Sequence, residues 1–363
     1  MTLSPRLIGL VAGIALPALM ILLGPPAGLS WPAWLTGCLL VLMAAWWATE
    51  AIPIPATSLL PLVVLPIIGG GNPVQAAAGY SHPVVMLLMG GFILALGIER
   101  WNLHRRIAIH VVAAVGTGQY ALIFGFMAAT ALLSMWISNT ATTLMMVPIV
   151  MSAAAAIGDK TGKFTVAVLL GVCYSASIGG IATPIGTPTN LIAIDWLQTH
   201  SGATIGFPQW MMFGVPAMCL LVPAAWWIVT RNLPRLEGED AAVASVRKQR
   251  SELGPISAPE ARAAMVFGVV ALLWISRVFV QEIGKANDFT PVLLMGISDM
   301  GIAMFGAVAM FLIPAGGGEN RSLLNWEEAA RLPWGVVILF GGGISLGQAI
   351  TRTGLSVWIG DHL

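Results

Sequence analysis

An all-α polytopic membrane protein is the fold class the sequence predicts, and three observations predict it. The 363 residues are 57% hydrophobic and only 9% charged, with a mean hydropathy of +0.86, whereas a soluble domain carries about 25% charged residues. The apolar residues are gathered into runs close to the length of about 20 residues that a helix needs to cross hydrocarbon. Two of the runs are interrupted by crowded hydroxyl, amide, glycine and proline residues, the pattern of helices broken at membrane depth. The formal net charge of +1 gives no footing for a nucleic-acid partner.

The elements follow in order. Arg6 precedes an apolar run containing Pro17. No small-residue cleavage motif follows it, so residues 7–23 are expected to be a retained first helix rather than a leader. Gly9 and Gly13 form a small-xxx-small pair suited to close helix packing. Further spans are expected at 33–49, 54–69 and 83–99. Glu50 closes the first of these just before Pro53, a capping or interfacial position. Residues 101–118 mix His104, Arg105, Arg106 and His110 with Ile107, Ile109, Val111 and Val112, which suits a helix lying at the interface. Later spans are expected at 210–230, 263–281, 296–314 and 334–350. Asp299 then lies at a span's outer end, and His82, His104, His110 and His200 near interfaces. Trp46-Trp47 and Trp226-Trp227 fit an aromatic belt. Cys38, Cys173 and Cys219 all fall in apolar segments, and buried thiols are expected of them rather than disulfides.

Charge sets the orientation. With the N-terminus inside, every one of the 17 Lys and Arg residues except Arg277, Lys285 and Arg352 falls on the cytoplasmic side. The opposite orientation reverses that excess, so the positive-inside rule selects the N-terminus inside and the cytoplasmic membrane as the location. Residues 120–157 carry no charge, yet Arg105/Arg106 before them and Lys160/Lys163 after them both belong inside. The chain must enter and return. Ser134, Ser138, Asn139, Thr140, Thr142 and Thr143 crowd its middle. Polar groups are costly in hydrocarbon unless satisfied. A re-entrant hairpin with Ser138-Asn139-Thr140 at its tip therefore reads better than two plain spans.

Residues 164–194 form 31 uncharged positions, too many for one simple span, and hold Gly179, Gly180, Pro184, Gly186 and Pro188. Proline removes a donor and clashes within a helix, so two half-helices joined by an unwound stretch are expected. Such stretches offer carbonyls to a cation, and the next helix N-terminus can face an anion. An internal repeat is also visible. Val84-Val85, Gly90-Gly91, Leu94, Ile98, Arg100 and Leu103 return as Val336-Val337, Gly342-Gly343, Leu346, Ile350, Arg352 and Leu355. The copies run in opposite directions through the membrane, the sign of an inverted repeat. On that basis residues 1–230 hold the first helix and a complete first repeat. Residues 231–262, charged and containing Pro234, Pro255 and Pro259, are a cytoplasmic linker, and 263–363 begin a second repeat. The same offset places a second Ser-Asn-Thr at about position 390, beyond Leu363, so a longer transporter is expected of which this chain lacks the C-terminal part.

The motifs carry a resemblance. Ser138-Asn139-Thr140-Ala141-Thr142 resembles the hairpin signature of the divalent anion/sodium symporter family. Ser177 to Asn190, with Thr183-Pro184-Ile185-Gly186-Thr187-Pro188 at its heart, resembles that family's broken-helix signature. Trp47-Ala48-Thr49-Glu50-Ala51-Ile52-Pro53 is similar to the end of its second helix. The resemblance covers the whole chain in order. It implies sodium-coupled uptake of C4-dicarboxylates such as succinate, with citrate and sulfate carriers among the relatives. It also implies a homodimer in which a transport domain moves, elevator-like, against a static scaffold. On the family pattern Ser134, Ser138, Asn139 and the Gly186 carbonyl would bind sodium, while Asn139, Thr140 and Thr187 would approach a substrate carboxylate. Thr189 departs from the family, where many members have proline, and this loosens the substrate assignment.

Other classes fit less well. An intramembrane hydrolase using Ser138 would need a general base within hydrogen-bond reach, and the hairpin contains no His, Lys, Asp or Glu. There is no phosphate loop, nucleophile elbow or zinc helix, and no cofactor is expected beyond the coupling ion. Partners are limited to a small dianion, sodium, lipid and a second copy of the chain. Sodium-independent anion exchange remains the alternative, because hydroxyls and carbonyls suit sodium without demanding it.

Overall fold

Ser-Pro pairs and their kin start the helices. Ser4 accepts the Leu7 amide at 3.3 Å and opens α1 (Pro5–Leu23), and Ser30 accepts the Ala33 amide at 3.4 Å and opens α2 (Trp31–Thr49). In each the proline sits in the first turn, where no donor is required. In the computed structural model, residues 4–115, 118–159, 161–202, 205–234, 239–286 and 297–362 are described. Lys160 and Arg235, and the side chains of His200 and Lys285, lie outside that set. Eight helices among the described residues are long and apolar enough to cross a membrane, and this is an integral membrane protein.

The chain divides into two units, residues 1–89 with 333–363, and residues 90–332. The first contains α1, α2, α3 (Ile54–Thr57), α4 (Leu60–Ile68), α5 (Pro73–Ala78), a 3-10 turn over Gly79–Ser81, the opening turns of α6 (Pro83–Arg100), and two late helices at Trp334–Arg352 and Leu355–His362. Its core gathers Leu39, Met43, Leu65, Ala76, Leu346 and Ala349. Gly9 and Gly13 do lie at a close approach. A Cβ there would stand 1.8 Å from Thr49 Oγ1 and 2.4 Å from Trp46 Nε1. Glu50 caps α2 with a left-handed backbone at φ 47°. The expected single span at 54–69 is broken at Ser58 and Leu59, between Pro55 and Pro61. Ser58 Oγ donates to the Ile54 carbonyl at 2.8 Å and accepts from Trp47 Nε1 at 3.1 Å, while Tyr80 Oη donates to the Ser58 carbonyl.

The second unit holds the rest of α6, then α7 (Leu103–Ala114), α8 (Gln119–Ser134), α9 (Asn139–Ile157), α10 (Lys163–Gly180), α11 (Pro188–Ser201), α12 (Phe207–Thr230), α13 (Glu239–Glu252), α14 (Ala258–Ala286), α15 (Asp299–Leu312) and α16 (Trp326–Ala329). A small antiparallel pair, β1 (Pro314–Gly316) and β2 (Glu319–Ser322), precedes α16. Ile123, Phe126, Met127, Val150, Phe164 and Val168 form the heart of its core. The helices at Trp334–Arg352 and Leu355–His362 become α17 and α18.

Both ends of the α8–α9 hairpin reach the same polar segment. At its start Gln119 Nε2 donates to the Pro234 carbonyl at 2.7 Å and Tyr120 Oη to that of Leu233 at 2.8 Å. On α9, Ser152 Oγ lies 3.3 Å from Ser245 Oγ and accepts from Gln249 Nε2 at 3.2 Å. The segment read as a linker is therefore folded here as α13, which buries Val243 and Val246. The amphipathic α7 buries Ala108, Ile109 and Val112. Arg106 clamps Glu260 at 3.1 Å and the carbonyls of Leu253, Gly254 and Pro255 at 2.9–3.2 Å.

Three expectations are corrected. Only Cys38 is buried, whereas Cys173 and Cys219 are exposed on α10 and α12, because apolar sequence facing lipid needs no protein cover. His104, expected near an interface, is covered by protein, and its ring Nδ1–H donates to the Ile98 carbonyl at 3.4 Å. Asp299 is a junction rather than a free interfacial charge. It pairs with Arg277, accepts the Phe207 amide at 3.1 Å, and its carbonyl accepts Trp274 Nε1 at 3.1 Å. These bonds align Phe207 on Trp274 with ring centroids 4.4 Å apart, and Trp136 from the hairpin stacks on both at 6.0 and 6.5 Å.

Two stretches of the chain share a local pattern. Asn72 with Gln75, and Asn325 with Glu328, form capping boxes that open the short helices α5 and α16. Each short helix is followed by a long one, α6 or α17. Each long helix ends at a left-handed residue, Asn102 at φ 54° or Gly354 at φ 81°. The next helix then starts at Leu103 or Leu355.

Candidate functional site

Two helix breaks meet inside the second unit. α8 ends at Ser134, the chain turns through Met135, Trp136 and Ile137, and Ser138 caps α9 by accepting the Ala141 amide at 3.3 Å. α10 ends at Gly180. Residues 181–187 turn with the Ala182 amide donating to the Gly179 carbonyl at 3.0 Å, and Pro188 opens α11. Glycine makes the meeting possible. A Cβ on Gly179 would stand 2.3 Å from the Ala131 carbonyl, and one on Gly180 2.5 Å from Asn139 Oδ1.

Thr183 bolts the two breaks together. Its buried hydroxyl donates to the Met135 carbonyl and accepts the Gly186 amide at 3.1 Å. Asn190 closes the second break from within, its Nδ2 donating to the carbonyls of Gly180 and Thr183, each at 2.7 Å. Several hydroxyls bond their own helix instead: Thr130 to Phe126, Thr143 to Asn139, and Thr230 to Trp226. That local habit is ordinary in membrane helices. Ser134, Thr183 and Asn190 depart from it by serving a break or a neighbouring helix.

At the junction one hydroxyl faces two acceptors. Ser134 Oγ lies 2.7 Å from Asn139 Oδ1 and 2.7 Å from the Ala176 carbonyl. A hydroxyl has one proton, so it satisfies one of these oxygens and leaves the other facing it. The carbonyls of Gly180, Met135 and Ser134 converge on Gly186, at 2.6, 3.0 and 3.0 Å from where its Cβ would stand. Two helix C-termini, α8 and α10, contribute these carbonyls, and the N-termini of α9 and α11 start beside them. Carbonyl-rich C-termini favour a cation and N-termini favour an anion. A hard cation takes such oxygens readily.

The structure thus brings Ser134, Asn139 and Gly186 together. Ser138 is placed as the cap of α9. Thr140 is exposed, and Thr187 is half-buried at the start of α11 with its Oγ1 3.4 Å from Thr189 Oγ1. Thr183 and Asn190 carry the junction although the sequence reading gave them no role. The available signal was their position between Gly180 and the second turn of α11.

Comparison with known proteins decides the family. The family described as "Sodium:sulfate symporter transmembrane region" matches residues 4–363. The chain belongs to this family. Among its relatives, the sodium-dependent dicarboxylate transporter SdcS of Staphylococcus saprophyticus is 38% identical over 376 residues, covering 99% of this chain and 70% of the relative. SdcS of Staphylococcus aureus strain USA300 is 36% identical over 373 residues, with the same coverage. Membership in a symporter family sets aside the intramembrane hydrolase reading.

Proposed function

We propose that this protein is a sodium-coupled secondary transporter of small divalent anions, with C4-dicarboxylates such as succinate as the preferred class. The observation that carries the reading is the Ser134 hydroxyl facing two acceptor oxygens beside the carbonyls that converge on Gly186. A dianion in a low-dielectric site needs compensating charge, and residues 120–157 contain no Lys or Arg. A cation bound among these oxygens supplies that charge. Ser134, Ser138, Asn139 and the Gly186 carbonyl hold sodium in this reading, with Ser138 acting through its cap on α9. Asn139, Thr140 and Thr187 donate to a substrate carboxylate beside the α9 and α11 N-termini. The names of the staphylococcal relatives support both halves of the assignment.

The protein sits in the cytoplasmic membrane with its N-terminus inside, as the distribution of basic residues favours. It works as a lipid-embedded homodimer, and an inverted repeat built on α6 and α17 underlies an elevator-like movement. Residues 1–230 hold the first helix and the first repeat, and 263–363 belong to the second, joined through the cytoplasmic linker 231–262. Succinate uptake into proteoliposomes against sodium concentration tests the function. Equal uptake with and without a sodium gradient would overturn coupling and promote the exchanger, and preference for sulfate would move the substrate. In a cysteine-free background, single cysteines at 247 and 285 should label from opposite faces.

A further inference from the structure

A separate polar cavity lies in the same unit. It has a volume of about 270 Å³ and is lined by Glu99, Asn102, His104, Ile137, Thr142 and Met145, among others. None of its polar groups takes part in the Ser134–Asn139–Gly186 cluster. Thr142 is 1% exposed, and its Oγ1 has no hydrogen-bond partner. A buried hydroxyl without a partner costs free energy that a bound ligand can recover.

The charge is also unanswered. Among the described residues no cation pairs with the Glu99 carboxylate. Of the arginines nearby in sequence, Arg100 is committed to Glu328 and Arg106 to Glu260, while Arg105 acts on His104 through its charge. His104 does not supply the missing charge. Its burial, with Arg105 nearby, holds its pKa below the usual histidine value despite the Ile98 carbonyl. The neutral ring donates from Nδ1 to Ile98, which leaves Nε2 as an acceptor. Asn102 stands exposed at the mouth with no capping bond from its side chain. The C-terminus of α6 adds the negative end of a helix dipole. A small cavity with an unpaired carboxylate, an unpaired hydroxyl and an amide oxygen has the donor set of a hard monovalent cation, and ionisable groups inside membrane segments mark ion paths.

We propose that Glu99, Asn102 and Thr142 form a second sodium site, separate from the Ser134–Asn139–Gly186 cluster. Both sites then share one rigid element. Residues 137–142 present Asn139 to the first site and Thr142 to the second, so occupancy of either fixes the same first turn of α9.

Equilibrium binding of radioactive sodium to the purified 363-residue chain in detergent, without any anion, tests this. Wild type is expected to show two components. Glu99→Gln and Thr142→Val should each weaken one component by about tenfold or more and leave the other. Asn139→Ala should do the converse. Thr142→Val keeps shape and charge, so it decides the matter if Glu99→Gln does not fold. Sodium curves for both variants that superimpose on wild type overturn the proposal. So does a Glu99→Gln effect confined to pH dependence, which would make Glu99 a proton site. Because no substrate is present, failure of succinate coupling is a separate result and leaves this one readable.

Discussion

The break at Ser58–Leu59 and the break at residues 181–187 share a cause and differ in outcome. Both interrupt apolar sequence at prolines, which cannot complete the helical ladder. At the first, Ser58 serves Ile54, and Trp47 and Tyr80 serve Ser58, while the adjacent Thr57 Oγ1 is a single buried hydroxyl without a partner. At the second, Thr183 and Asn190 satisfy the carbonyls of Met135, Gly180 and Thr183, yet Ser134 Oγ still faces two acceptors with one proton. A broken helix alone is thus a structural device. Unbalanced acceptors at the break are what turn it into a place for an ion.

The comparison breaks most sharply at its glycines. Gly186→Ala puts a Cβ 2.6 Å from the Gly180 carbonyl. Overpacking of about 1–3 kcal/mol is expected to weaken sodium binding by roughly 5- to 150-fold. Gly342→Ala puts a Cβ 2.2 Å from the Ser58 carbonyl. It should lower the melting temperature and leave sodium affinity of the folded protein unchanged. Thermal scans with sodium titrations separate the two. If Gly342→Ala loses sodium binding as fully as Gly186→Ala, the contrast fails.

Thr183→Val removes the bolt and leaves the Met135 carbonyl and Gly186 amide to find other partners, at about 1–3 kcal/mol for each group left unpaired. Stability and sodium affinity should fall together, whereas Ser58→Ala should reduce stability alone. Asn139→Ala deletes one oxygen. A single unpaired group of about 1–3 kcal/mol should weaken sodium and succinate together, seen as a shifted sodium dependence of uptake. The smallest effect is acid sensitivity. Glu328 is partly buried, which raises its pKa. Hydrogen bonds from Arg100 and the Asn325 cap outweigh this and hold it below the usual carboxylate value. Its contribution is therefore present above about pH 4.5 and is lost as pH falls through the lowered folded value. Glu328→Gln should flatten the acid limb of a stability profile, and neither break, having no carboxylate, should alter it.

The long helices and both helix breaks within residues 120–194 were legible because charge depletion and crowded polar, Gly and Pro residues mark them directly. The break at Ser58 was missed because Pro55, Pro61 and Pro66 sit in an apolar run whose length alone fits one span. The roles of Thr183 and Asn190 were invisible for another reason. Thr130 and Thr230 have the same chemistry and bond their own helices, so residue type cannot say which hydroxyl reaches across. Cys173 and Cys219 show the limit of hydropathy in a protein whose solvent is hydrocarbon: it locates a helix but not the face turned inward.

Trp136 sits at the turn of the hairpin and lies flat against Phe207 and Trp274, whose alignment is set by Asp299. Stacked rings slide in their plane at little cost but resist being prised apart, because separation exposes both faces. The hairpin tip is therefore coupled to α12 and α14 as a plate is to its mount. A displacement that lifted Ser134 and Asn139 across the bilayer would have to bring those two helices along. The smallest moving body that leaves this stack intact is a block of several helices, and a flap made of the hairpin alone would first have to peel Trp136 from its seat.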